Sequence, residues 1–270
     1  MAQPTDGSHK SSNAKSVSKT LEILSTFNES LPVQRTSDIA NKLHMNISTV
    51  SRHLNTMLDW GFLERDETTG HYSLGLEIVA LAGAALQNNA VYRYAYPELQ
   101  QLSHQYGVHC HMGMPRSTDV VHLISLCCET TQELLIPVGH CQPMCCSAMG
   151  RALLAYLPQE EVQQVLAECE GRWRTPEAKL DLGELHQELS HTKQKGYCIL
   201  FDEWAEGMSS LATPVFDSAG HPVAAIGVST SAQNFSQPQR ERELAKAVLT
   251  VAERLSCKLG YAPKGEKPTV

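Results

Sequence analysis

Aromatic residues are scarce in this sequence: three Trp, five Phe and eight Tyr are 6% of its 270 residues. Charge is thin too, at 19%, while hydrophobic residues reach 42%. A chain of that composition can bury a core, so global disorder is excluded. No apolar run nears the roughly 20 residues of a membrane helix, which excludes a helical membrane protein and gives no membrane partner. Residues 1–19 contain no apolar stretch of the kind a secretory signal needs. A cytoplasmic protein is the expectation. Also missing are G-x-S-x-G, Walker A, H-E-x-x-H and G-x-G-x-x-G. An enzyme is therefore not expected, nor a cofactor.

Cysteine is not scarce. There are nine, an odd number, and without a signal segment they read as reduced thiols rather than a disulfide framework. Net charge is −7, which argues mildly against a nucleic-acid binder. It is a whole-chain figure, however, and a small DNA-binding module can be masked by an acidic partner domain.

Periodicity starts after a polar segment, residues 1–15, expected to be a mobile tail. Val17, Leu21, Leu24 and Phe27 recur at helical spacing. Thr36 or Ser37 can cap a second helix with Ile39, Ala40 and Leu43 inward. After a turn at His44, Met45 and Asn46, a third helix capped by Asn46 runs to about Asp59, burying Val50, Leu54, Met57 and Leu58. Gly61 ends it. Two short strands, 62–65 and 71–74, flank a turn at 66–70. Three helices and a hairpin make a winged helix-turn-helix over residues 16–75.

A linker helix is expected at 76–91 on Leu76, Val79, Ala82 and Leu86. Beyond it, helices around 98–105, 149–157 and 181–195 alternate with strands at 108–114, 120–126, 210–216 and 223–230. A closing helix carries the stripe Leu244, Val248, Val251, Leu255 and Leu259. That order describes an α/β sensor-type domain over 92–260, with a tail at 261–270. The fold class is α+β.

The third helix carries the chemistry. Its outer face is Ser48, Thr49, Ser51, Arg52 and Asn55, led by Asn46, with no acid before Asp59. Hydroxyls and amides reach phosphates and base edges, and Arg can bind guanine in bidentate fashion; a carboxylate would be repelled. Arg35 and Ser37 at the second helix, Lys42, and His71 at the wing are the expected flanking contacts to double-stranded DNA. Two other readings of this face are a solvated polar surface and a module that binds protein instead of DNA.

The stretches Thr36-Ser37-Asp38-Ile39-Ala40, Ser48-Thr49-Val50-Ser51-Arg52-His53-Leu54 and Tyr72-Ser73-Leu74-Gly75 resemble the IclR family of bacterial regulators. So do Ser147-Ala148-Met149-Gly150-Arg151-Ala152-Leu153-Leu154-Ala155, Lys195-Gly196-Tyr197, Ala212-Thr213-Pro214-Val215-Phe216-Asp217 and Val223-Ala224-Ala225-Ile226-Gly227-Val228-Ser229. Each is weak alone; their colinear order is specific. The resemblance implies a GAF-like effector-binding domain and assembly as a dimer or a dimer of dimers. It also implies regulation, often repression, of a catabolic operon by a small organic or sugar acid or an aromatic catabolite. Asn46-Ile47 stand where the family often has Pro-Lys, and Ser209-Ser210 where Arg-Cys is common.

Matched stretch by stretch, the family's effector pocket falls on Gln142, Ala148, Met149, Leu200, Ser210 and Ser229. Ala148 and Met149 open a helix, where backbone N–H groups favour an anion. His109 and His111, two apart in a strand, share a face, and His111 is a further candidate contact. The middle of the chain is rich in His and Cys. A zinc site or a redox-sensing thiol is one reading of it. The other is buried cysteines acting as small hydrophobes, with no metal, because no C-x-x-C pair appears.

Overall fold

A computed structural model describes residues 15–128, 136–169, 182–202 and 206–262. The chain forms two compact units, residues 1–88 and 89–270. Most of the two expected tails, 1–14 and 263–270, lies outside the described residues.

In the first unit, α1 (Lys15–Leu24), α2 (Thr36–Leu43) and α3 (Ile47–Asp59) pack around Ile23, Phe27, Ile39, Val50, Leu54 and Met57. Leu63 and Tyr72 close this core from the wing strands β2 (Leu63–Arg65) and β3 (Tyr72–Leu74). A two-residue strand, β1 (Val33–Gln34), pairs with β3 and makes the wing three-stranded in the order β1-β3-β2. It is too short to leave a periodic signal.

Several sequence expectations need correction here. The α1 stripe holds only in its second half: Leu24 and Phe27 join the core, but Val17 and Leu21 are exposed and Ile23, off the stripe, is fully buried. Neither Thr36 nor Ser37 caps α2; Arg35 holds the cap position without a side-chain bond, and Ser37 Oγ donates to Asp38 Oδ1 at 3.2 Å. Asn46 does occupy the cap of α3, but through its carbonyl, which accepts from Thr49 and Val50, and not its side chain. His53 sits inside, its Nδ1 2.9 Å from Thr20 Oγ1, while Leu58 is only half-buried. The turn between α2 and α3 is set by His44, whose φ of 52° lies in the left-handed region. Asp66 Oδ1 closes the wing turn by accepting from the Thr68 and Thr69 N–H groups, both at 2.8 Å.

α4 (Leu76–Asn88) follows β3 with no buried residue at all. α5 (Ala90–Tyr106) opens the second unit; it starts earlier than the expected residue 98, because Asn89 caps it and Pro97 is carried inside the helix. Asn89 Oδ1 accepts from Tyr92 N at 3.0 Å.

The second unit is one six-stranded sheet in the order β6-β5-β4-β9-β8-β7, antiparallel at every pairing. The strands are β4 (His109–Arg116), β5 (Asp119–Leu126), β6 (Cys141–Pro143), β7 (Cys198–Phe201), β8 (Met208–Phe216) and β9 (Pro222–Ser231). Alternate residues face opposite ways along a strand. Cys110, Met112, Leu211, Val215, Ile226 and Val228 share a core with α5 and the long α10 (Pro238–Lys258). Val120, Leu200, Ala212 and Ala225 face α6 (Ala148–Leu154), α7 (Gln159–Cys169) and α8 (Leu182–Lys195). A four-residue helix, α9 (Ala232–Phe235), joins β9 to α10. Burial on both faces explains why these strands read as near-continuous apolar runs.

One further expectation fails. Cys145 and Cys169 form a disulfide, so the cysteines are not all thiols. Cys145 lies in a 3-10 turn, Met144–Cys146, and Cys169 ends α7. Spacing of 24 residues carries no signal for such a pair; the fold of α7 over the turn makes it. The other seven cysteines stand outside any disulfide.

Candidate functional site

Two places gather polar side chains suited to recognition, one in each unit. On the first, Asn46, Ser48, Arg52 and Asn55 are exposed along α3, with Thr49 and Ser51 half-buried beside them. Val50, Leu54 and Met57 pin the opposite side into the core, which fixes the direction of the polar face. Arg35, Ser37 and Lys42 are exposed on and before α2. Arg35 Nε donates to His71 Nε2 at 3.0 Å, joining the start of α2 to the wing. Arg65 lies over the Tyr72 ring at 5.5 Å from its centroid. All ten residues expected to contact DNA thus lie on α2, α3, or the segments beside them and the wing. Ile47, at the first position of α3, is also exposed, at 59%. Sequence reasoning passed over it because a lone apolar residue carries no polar signature, yet an apolar group there can meet a thymine methyl.

The second place is a cavity between the sheet and the start of α6. It encloses about 540 Å³ between atoms, counting its open mouth. Gln142, Ala148, Met149, Leu200, Ser210, Ser229 and His111 all line it. The strands explain the convergence. Ser210 pairs directly with Ser229 and Leu200 with Ser210, so three of these residues form one row across β7, β8 and β9. His111, on β4, pairs with Gly227 of β9, and Gln142 comes from the edge strand β6.

His111 is fully inside this wall. Its Nε2 is 2.8 Å from Ser229 Oγ, and its Nδ1 is 3.3 Å from Ser125 Oγ on β5. Burial, with His122 and His109 nearby, pushes its pKa down to about 3, so the ring is neutral. The His122 ring lies edge-on to it at 5.9 Å, and His140 follows at 5.7 Å from His122. Among the described residues, no three His, Cys, Asp or Glu side chains converge as a metal-ligand set.

The start of α6 is closed by the chain itself: Ser147 Oγ accepts from Gly150 N–H at 3.1 Å and Ser147 O accepts from Arg151 N–H at 2.9 Å. Gly150 must be glycine, since a Cβ there would strike the Met144 backbone. Arg151, completely buried, donates from Nη1 to both oxygens of Glu188 on α8, at 2.9 and 2.8 Å. Its Nε donates to the Cys145 carbonyl at 2.7 Å, so the same side chain holds the turn in front of the cavity. Cys146, Ser147, His122 and Ile136 also line the cavity and were not among the residues expected to line it. Ser147 opens a recognised stretch and Cys146 adjoins it, so both could have been found from it. Ile136 has no such signal.

Known proteins were compared with this chain. The family model for the IclR helix-turn-helix domain matches residues 16–67, and that for the bacterial transcriptional regulator IclR C-terminal domain matches residues 83–257. The chain is 28% identical over 249 residues to the HTH-type transcriptional regulator KdgR of Escherichia coli (strain K12), covering 92% of this chain and 94% of KdgR. It is 26% identical over 253 residues to the HTH-type transcriptional repressor AllR of Klebsiella pneumoniae, covering 94% and 93% of the two chains. Among solved structures, it resembles an IclR transcriptional regulator from Alicyclobacillus acidocaldarius, with a TM-score of 0.80 and 25% identity over 92% of this chain and 99% of that one. It shares the fold of an IclR homolog from Microbacterium hydrocarbonoxydans complexed with 4-hydroxybenzoate, with a TM-score of 0.73 and 24% identity over 88% and 99%.

Proposed function

Since the chain belongs to the IclR family of bacterial transcriptional regulators, we propose that it is a repressor of a catabolic operon. In this reading α3 reads operator DNA and the cavity takes the effector, a small organic or sugar acid or an aromatic catabolite. The observation that carries the effector half is the meeting of Gln142, Ala148, Met149, Leu200, Ser210, Ser229 and His111 around one cavity. The names of its relatives support repression: AllR is a repressor. The bound 4-hydroxybenzoate of the Microbacterium homolog supports an aromatic acid as a first ligand to try.

Arg52 and Asn55 are the base-reading candidates, with Ser48, Thr49, Ser51 and Asn46 beside them. Arg35, Ser37, Lys42 and His71 serve the phosphates. We assign a second copy of the chain as the partner that covers α4. Its Leu76 is 75% and its Val79 64% exposed, an apolar helix surface that a lone chain leaves to water. A two-fold pair of reading helices then meets a palindromic operator with half-sites about one turn (~34 Å) apart. Two such dimers can join as a tetramer. The protein works where the chromosome is, in the cytoplasm.

Coupling runs through the chain at Asn89. Its side chain caps α5, and its Nδ2 lies 3.1 Å from Met114 Sδ on β4, the strand of His111. An effector shifts operator affinity only by binding two states unequally.

The test starts from selection on random duplex DNA, followed by fluorescence anisotropy on the selected site across salt concentrations. Sequence-dependent binding that weakens steeply with salt is expected. Small acids, 4-hydroxybenzoate among them, are then screened for release. Failure to enrich any sequence removes the regulator reading of α3; enrichment without release by any compound removes the effector reading of the cavity.

A further inference from the structure

We propose that the Cys145–Cys169 disulfide is made and broken in use, as a thiol switch on the wall of the cavity. Its position carries the argument. Cys145 is the middle residue of the 3-10 turn Met144–Cys146, and the residues that follow it, Cys146, Ser147, Ala148 and Met149, line the cavity. The other sulfur ends α7. The bond therefore ties the cavity wall to a helix that contributes no lining residue of its own among those described.

The turn has a second, permanent tether. Arg151 holds the Cys145 carbonyl and is itself fixed to Glu188. Opening the disulfide thus frees the end of α7 and loosens the turn without releasing it from α6 and α8. That arrangement gives two folded states of the same wall. Beside the bond lies a third sulfur, Cys146 Sγ, 3.3 Å from Cys145 Sγ.

The rest of the cysteines indicate the direction of the chemistry. Seven of nine lie outside any disulfide, and Cys257 is exposed to solvent. A chain built for oxidising surroundings uses its cysteines as staples; a single bridge among seven others fits a bond formed against a reducing background, where disulfides are transient or sensory.

The exchange balances with a small disulfide such as oxidised glutathione as electron acceptor. One thiolate of the pair attacks a glutathione sulfur and expels a glutathione thiolate, leaving a mixed disulfide. The second thiolate attacks the protein sulfur of that intermediate and expels the other glutathione. The protein pair loses two protons and two electrons, and two glutathione thiols are formed. Two molecules of reduced glutathione reverse the sequence.

What the switch controls rests on the cavity being the effector site; the bond itself does not. The test uses full-length protein equilibrated in glutathione buffers from reduced to oxidised, then trapped with N-ethylmaleimide and mapped by mass spectrometry. The Cys145–Cys169 peptide pair is expected to appear and disappear reversibly while Cys257 stays labelled. Amide hydrogen exchange over residues 141–154 is expected to slow by roughly tenfold or more in the oxidised state, since the bond removes local openings. Cys169→Ser should show the faster rate in every buffer. The wild-type titration carries the test alone if that variant does not fold. A pair that never links in oxidised glutathione, that stays linked in the reduced buffers, or that links without changing exchange over 141–154 overturns the proposal. None of these readouts uses DNA, so failure to find an operator leaves them standing.

Discussion

His111 is a neutral imidazole held between two serine hydroxyls, and its tautomer sets what Ser229 offers a ligand. With the proton on Nε2, the ring donates to Ser229, whose own proton is then available to the cavity. With the proton on Nδ1, Ser229 donates to the ring and presents only lone pairs. One side chain can thus meet a carbonyl or a hydroxyl proton. The depressed pKa has a stability consequence. Between pH 6.5 and about 3 the unfolded chain takes up a proton that folded His111 refuses. Stability therefore falls as pH drops through that window, by up to about 1.4 kcal/mol per unit for one such group. His111→Asn should lose about 1–2 kcal/mol less than wild type between pH 7.5 and pH 5 in urea denaturation. An equal loss in both proteins would mean that His111 titrates normally. On the DNA side, Arg52→Ala is expected to weaken binding to the selected operator by about 1–3 kcal/mol and to relax preference at one base position. Unchanged affinity in anisotropy would take Arg52 out of the interface.

α6 is the element on which the cavity depends. It sits against the Met144 backbone because Gly150 has no Cβ, and it is locked to α8 by a buried guanidinium. Gly150→Ala must push the 3-10 turn away; a loss of about 1–3 kcal/mol in thermal or urea unfolding is expected, with the cavity wall displaced. Glu188→Gln leaves Arg151 buried without its counter-charge. That costs about 3 kcal/mol, the low end for a broken buried pair, since Glu188 keeps 27% of its side chain exposed. A variant as stable as wild type would show that water replaces the carboxylate. The elements also mark where sequence suffices. α3 and α10 are long and strongly periodic, and their inner faces follow from spacing, apart from His53 and Leu58 on α3. Gly61 stops α3 as its composition dictates, with φ of 73° just past the helix end. Short β1, β6 and β7 were missed, for two to four residues cannot establish a period, and none is paired across a tight turn like the one at 66–70 that reveals the equally short β2 and β3. α7 was missed although it was legible: its buried Val162, Val165, Leu166 and Cys169 recur at three- and four-residue spacing on one helix face. The pocket residues other than His111 came from resemblance; no pattern in the sequence itself puts Gln142 and Ser229 on one cavity, because they lie on β6 and β9, and the folded sheet, not spacing, turns both toward it. The disulfide was illegible for the same reason.

At the scale of the whole molecule, composition misleads about partners. A net charge of −7 hides an acid-free reading face, because charge acts on DNA within about a Debye length (~10 Å at 0.1 M salt) and not as a sum over the chain. The self-association proposed above would have a similar local origin in α4. Leu76→Glu with Val79→Glu is expected to shift the protein toward monomer in sedimentation velocity and to weaken operator binding with it; an unchanged oligomer would mean that another surface joins the copies. Asn89→Ala should leave affinity for the operator near wild type and blunt its response to effector. The strands that carry the cavity row, Leu200, Ser210 and Ser229, also carry core residues such as Val215 and Ile226 that stand clear of the cavity. For descent by mutation this is a division of labour within single strands: the residues at the cavity can be exchanged to admit a new metabolite while those away from it go on holding the domain together. A lineage of such regulators can therefore change its diet of signals one side chain at a time, without passing through an unfolded ancestor.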